Sequence, residues 1–179
     1  ALIYYFRSAE KMIEAGKSDT AIIIDIYDQA SVIIEYNLAN AQKEKDKTKW
    51  ENVRGNIELS FERWAKCENL IPLYTVKFNE TPEDLDLLRK ITKILDKKDC
   101  TDSDLFLNAL ENLIRLEPEP TAQSAKLAGM LYLKREQYPE AIKYLKQAIE
   151  LETDNNERAD IHFLLAKVYH LTSRFAEAR

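Results

Sequence analysis

The stretch GMLYLKREQYPEAIKYLKQAIEL, residues 129–151, sets small residues at Gly129, Ala141 and Ala148 among bulky neighbours. The whole chain has only three glycines in 179 residues, so a glycine inside a helical pattern needs a reason. In a helix interior Gly costs about 1 kcal/mol relative to Ala. Helix propensity therefore explains the alanines but not Gly129, whose presence implies that another helix comes close at that point. Pro139 starts a new helix within the stretch, since proline is accommodated in a first helical turn and not beyond it.

Outward from this stretch, apolar residues recur at helical spacing along most of the chain. Ile23, Ile26, Tyr27, Ala30 and Ile34 form one such series, and Trp50, Val53, Ile57, Phe61 and Trp64 another. No sustained strand-like alternation occurs, and the fold class read from this is all-α. Helices are expected near 2–15, 19–43, 48–66, 68–79, 82–97, 103–116, 121–136, 139–152 and 156–172, with a further start at 174. The breaks follow helix-end chemistry. Thr81 caps one helix with Pro82 in its first turn, Thr101 or Ser103 caps the next, and Pro118 and Pro120 stop another before Thr121. The charged run QKEKDKTK at 42–49 reads as the solvated ends of two helices.

Composition narrows the class of partner. A net charge of -5 opposes the broad cationic contact that nucleic acid or an anionic membrane requires. The longest conspicuous apolar run, AIII at 21–24, is far too short for direct membrane insertion. The chain begins ALIYYF without Met and stops at FAEAR inside an apparent helix, so an excerpt of a longer protein is expected.

Aligning the sequence with itself places AGMLYLKREQYPEA on LAKVYHLTSRFAEA. Gly129 falls on Ala166, Tyr132 on Tyr169, Tyr138 on Phe175 and Ala141 on Ala178, all at an offset of 37. Repetition at that scale implies stacked supersecondary units. In its chemistry the unit resembles the tetratricopeptide repeat family. The resemblance implies a right-handed superhelical solenoid of antiparallel helix hairpins. Within a hairpin, Gly129 would face Ala141 and Leu145, Tyr132 and Tyr138 would fill the flanks, and Ala148 would leave room for the next repeat.

The match is good for 122–155 and fair for 159–179, where three extra residues in TDNNERAD are expected to lengthen the linker beyond the family period of about 34. Ala125, Ala128 and Thr153 depart from the usual aromatic, Leu and Pro. The chain is read as one repeat domain: divergent hairpins over 1–80, a divergent repeat over 81–120 that includes ALENLIRLEPEP, a clear repeat over 121–155, and one truncated in its second helix over 156–179. The stretch AKCENLIPLYTVKFNETPEDLDLLRKITKILDKKDCTDSDLF, residues 65–106, also resembles bacterial, often exported, repeat proteins of unassigned activity. That resemblance favours an envelope-associated or periplasmic location over a cytoplasmic one.

The resemblance implies a non-catalytic scaffold for an unidentified protein or peptide. The binding face would be the concave side lined by first helices: Lys126, Met130, Leu133 and Lys134, then Phe163, Lys167 and His170. An alternative from another class is a small-ligand or glycan-binding module. Family members that hold chaperone carboxylate tails use a Lys and Asn constellation. Here Lys126 matches, but Met130 stands for Asn, and Asp160 and Leu164 stand where the next repeat supplies cations, so no such binding is expected.

Catalytic and metal chemistry find little support. HExxH, GxSxG and a Gly-rich phosphate loop do not occur, and no cofactor is called for. His162 and His170 lie roughly 80° apart around one helix, the wrong relation for a metal pair; His162 is expected to pack within its repeat and His170 to be exposed. The sequon NET at 79–81 is explained by Thr81 as a cap. Cys67 and Cys100 are 33 apart, and regular stacking at about 8–10 Å would hold them too far apart to bond. Two buried free thiols are the simpler expectation, and a bond stays open where irregular turns close the gap in an exported chain.

Overall fold

The computed structural model describes residues 2–17 and 20–172. Among them are nine α-helices and no strand: α1 Leu2–Glu14, α2 Ala21–Ala39, α3 Glu44–Trp64, α4 Cys67–Glu80, α5 Leu85–Lys97, α6 Asp104–Leu116, α7 Ala122–Lys134, α8 Tyr138–Leu151 and α9 Asn155–Leu171. The all-α reading holds. The pairing of Tyr138 with Phe175 and of Ala141 with Ala178 cannot be compared, because Phe175, Ala178 and the helix expected from 174 lie outside the described residues.

Two helix starts differ from expectation. α3 begins at Glu44, so most of the charged run at 42–49 forms its exposed first turns. α5 begins after Asp84, whose carboxylate accepts from the backbone N–H groups of Asp86 at 2.9 Å and Leu87 at 3.1 Å. Thr81 is not the cap; its hydroxyl donates back to the Lys77 carbonyl at the end of α4. A carboxylate that satisfies two orphan donors fixes the helix start more firmly than one hydroxyl ahead of a proline. Ser103 and Thr121 do cap α6 and α7, accepting from Phe106 and Ser124.

The cysteines also depart from expectation: both are disulfide-bonded and neither is free. Interaxial spacing keeps cysteines apart only where both lie on regularly stacked helices. Cys100 instead lies beyond the end of α5, in a turn where Asp99 has φ 58°, so interaxial distance does not govern its position.

The chain divides into two compact units, Ala1–Pro72 and Leu73–Arg179. In the first, α1, α2 and α3 pack on one another. Ile23, Tyr27, Ala30 and Ile34 from α2 meet Phe6 and Ala9 from α1 and Ile57 and Phe61 from α3 in the core. The Tyr27 and Phe61 rings lie 4.1 Å apart between centroids. The α3 stripe is buried at Ile57 and Phe61 but only half covered at Trp50 and Val53. At its C-terminal half α3 is tied to α1 by Glu10, which accepts from Ser60 at 2.6 Å and from the Trp64 indole at 3.2 Å.

In the second unit α5 packs on α6, α6 on α7, α7 on α8, and α9 on both α8 and α7. This is the order of stacked helix hairpins. α6 buries Leu105, Phe106, Leu107, Ala109, Leu110, Leu113 and Ile114, nearly its whole circumference, as a helix covered on several sides must.

The α7–α8 hairpin answers the question of Gly129. A Cβ added there would lie 2.7 Å from Leu145 Cγ, 2.9 Å from its Cδ2 and 3.2 Å from its backbone nitrogen. Ala141, Leu145 and Ala148 are fully buried. The small residues therefore let the two backbones approach, as the repeat resemblance implies.

The turns that follow α5 and α7 are built alike. In each, the C-terminal residue has a left-handed conformation, Asp99 at φ 58° and Glu136 at φ 59°, a separation of 37 positions. Cys100 N–H reaches Leu95 O at 2.8 Å, and Gln137 N–H reaches Tyr132 O at 2.9 Å, the long bond of a Schellman turn. The same turn geometry thus recurs after α5, where side-chain similarity has faded.

The extra residues of TDNNERAD do not lengthen a linker. They add a turn to α9, which has 17 residues against 13 in α7. Only residues 152–154 separate α8 from α9, whereas 117–121 separate α6 from α7. Pro118 and Pro120 keep the chain out of helix before α7. Thr153 stands where the family has Pro, and Asp154 caps the early start by accepting from Asn156 at 2.9 Å and Glu157 at 3.0 Å.

Candidate partner-binding face

α7 and α9 pack side by side as successive first helices. Along α7, Lys126, Met130, Leu133 and Lys134 follow helical spacing, as do Phe163, Lys167 and His170 along α9. At the offset of 37, Lys126 corresponds to Phe163, Met130 to Lys167 and Leu133 to His170. Met130 is 43% exposed and Phe163 72% exposed, although both are large and apolar. Leu133 is half-buried, and Lys167 and His170 are exposed.

The two lysines of α7 are engaged within the chain. Lys126 Nζ donates to Glu157 Oε2 at 2.8 Å, and Glu157 belongs to the turn added to α9. That hydrogen bond holds the Lys126 ammonium above its ordinary pKa. Lys134 donates to both carboxylate oxygens of Asp102, at 2.6 and 2.7 Å, in the turn before α6. Its neighbour Arg135 donates to the Asp104 carboxylate at 2.6 Å and to the Asp102 carbonyl at 2.8 Å. So α7 is clasped forward at one end and backward at the other.

A similar clasp recurs 37 positions earlier. Arg89 of α5 is equivalent to Lys126 at the offset of 37, and its Nε donates to Glu117 at 2.9 Å. The acids differ in origin, one from the segment before α7 and one from the lengthened α9. Neither could be paired with its cation from sequence spacing alone.

A further polar feature escapes sequence reasoning. Glu111 Oε1, on α6, accepts from Tyr132 Oη of α7 at 2.5 Å and from Tyr144 Oη of α8 at 2.8 Å. The two rings stack with centroids 5.6 Å apart and planes within 4°, and Lys143 Nζ lies 4.7 Å above the Tyr144 ring. Burial, and then the hydrogen bonds to Glu111, push both phenols well above their ordinary pKa. The sequence placed Tyr132 as filler on the hairpin flank. Its polar end instead fastens one hairpin to the preceding one through a residue 21 positions away.

His162, expected to pack within its repeat, is exposed. The adjacent Ile161 takes the inward position and is fully buried. Among the described residues no group of three or more His, Cys, Asp or Glu could hold a metal ion, and no helix is long and apolar enough to cross a membrane.

Comparison with known proteins agrees with the geometry where the repeat is clearest. Residues 120–179 match the family model described as Tetratricopeptide repeat. No curated protein matches the sequence. Among solved structures, one titled "Crystal structure of MamA" is similar at 20% identity, covering 77% of this chain and 70% of that chain with a TM-score of 0.47. The segment 120–179 is thus similar to tetratricopeptide repeats in sequence, and the α7–α8 hairpin within it has the small-residue packing that the resemblance implies.

Proposed function

We propose that the α7–α9 face binds an extended or helical segment of a partner protein, with apolar contacts at Met130 and Phe163. The observation that carries this reading is the exposure of those two side chains on neighbouring first helices. Met is adaptable and Phe offers a large rigid contact, a pairing suited to a peptide groove. Lys167 provides a cation beside them. Lys126 and Lys134 act mainly as internal ties, since Glu157 and Asp102 already satisfy them. The function is that of a non-catalytic scaffold.

The occupation of Lys126 also supports the expectation that chaperone-type carboxylate tails do not bind. A tail would have to displace Glu157 and would meet Asp160 nearby on α9. The test compares pull-downs by the parent chain and by a Met130→Glu, Phe163→Glu variant with unchanged circular dichroism. Loss of a specific partner in the variant is expected. Retention of every partner by the variant would remove the assignment of this face.

A further inference from the structure

We propose that the groove between α1 and α3, in the Ala1–Pro72 unit, receives an acidic amphipathic helix of a partner protein. Its apolar wall consists of Leu2, Ile3 and Tyr4 from α1, Ile33 from α2, and Trp50 and Val53 from α3. The groove exists because α1 and α3 are closed at only one end. There Glu10 joins Ser60 and Trp64, whereas at the other end the α3 stripe at Trp50 and Val53 stays half covered. Ile3 lies where the apolar opening meets two adjoining recesses, one toward Asn52 and Asn56 and one toward Glu10 and Arg63. Together they follow α1, whose 13 residues span about 20 Å at 1.5 Å per residue.

The open form of the groove favours a helix over a small molecule. Tyr4 is 74% and Ile33 44% exposed, whereas small-ligand sites enclose most of the ligand surface. Charge selects the partner. Arg7, Lys45 and Lys49 line the openings and are exposed. The carboxylate on this lining, Glu10, already accepts from Ser60 and Trp64 and lies 3.6 Å from Arg63. In a chain of net charge -5, a local excess of cations around an apolar groove complements an apolar stripe flanked by Asp and Glu.

The test uses fluorescence anisotropy at low salt with three dye-labelled peptides of about 14 residues, enough to span the groove. One has a Leu stripe with Glu flanks, one the same stripe with Lys flanks, and one Glu flanks with the Leu positions changed to Ser. Saturable binding of the first alone is expected, weakened roughly tenfold in an Arg7→Glu, Lys49→Glu variant whose circular dichroism is unchanged. Absent or equal binding of the Glu- and Lys-flanked peptides, or full binding by the variant, would overturn the proposal. So would a concentration-dependent dimer in light scattering that the peptide competes away, which would assign the groove to a second copy of the chain.

Discussion

Replacing Gly129 by Ala sets two effects of known sign against each other. Ala is the better helix former by about 1 kcal/mol. Against this, the new methyl would sit 2.7 and 2.9 Å from Leu145 side-chain carbons and 3.2 Å from the Leu145 nitrogen. Leu145 is fully buried, as are Ala141 and Ala148, so its side chain cannot relieve the clash by turning out to solvent. Overpacking of this kind costs about 1–3 kcal/mol. The net expectation for Gly129→Ala is a loss of about 1 kcal/mol, read as a fall of roughly 4–8 °C in the melting temperature of a unit of about 100 residues.

A double-mutant cycle isolates the cause. Leu145→Ala alone should cost about 2–5 kcal/mol. With the leucine truncated, the methyl at 129 is accommodated, and the double variant should lose about 1–2 kcal/mol less than the sum of the singles. Thermal and urea unfolding followed by circular dichroism supply all four values. A Gly129→Ala protein more stable than its parent, or strict additivity in the cycle, would refute the close approach of α7 and α8.

Other outcomes follow from the same geometry. Gly55 lies inside α3 with nothing within 4 Å of an added Cβ, so Gly55→Ala should gain about 0.5–1 kcal/mol in the same unfolding assays. Asp84→Ala should cost about 1 kcal/mol by removing two cap bonds, and Thr81→Val much less, a contrast that scanning calorimetry can resolve. The Tyr132 and Tyr144 pKa values are raised in the folded chain, so the unfolded chain releases those protons first. Their stabilisation is complete below about pH 10 and is lost as pH rises through the folded values, which absorbance at alkaline pH and unfolding against pH can follow together. Thiol titration in denaturant should detect no free thiol before reduction and two afterwards.

Much of the fold was legible because local chemistry and packing agree. The stripe through Ile23, Tyr27, Ala30 and Ile34 became the α2 core face. Ser103 and Thr121 start helices as their side chains predict. The misplaced start at Thr81 has a local origin too, since a carboxylate three residues on makes the better cap. The Leu73–Arg179 unit shows why repeats fade unevenly. Gly129 and Ala141 reveal the hairpin because close backbones tolerate few side chains, whereas 37 positions earlier Thr92 and Asp104 stand in their place.

The candidate face was only partly legible. Helical spacing grouped Met130 with Lys126 and Phe163 with Lys167; Met130, Phe163 and Lys167 are exposed, whereas Lys126 is half-buried. Spacing could not show that Glu157 reaches Lys126 or that Asp102 reaches Lys134, because each pair is separated by more than 30 residues. Separations of 21 and 33 residues likewise hid Glu111 from Tyr132 and Tyr144. The three extra residues in TDNNERAD, 153–160, read as a longer linker because length alone does not distinguish a longer linker from a longer helix. The cap at Asp154 and the lack of proline decide for the helix.

The most direct measurement is a nuclear Overhauser spectrum of the chain with labelled leucine methyls. The packing described here predicts a strong cross-peak between the Gly129 α protons and a Leu145 methyl, because a Cβ at that glycine would fall 2.9 Å from Leu145 Cδ2. A Gly129 α proton that contacts water and no leucine methyl would contradict the account.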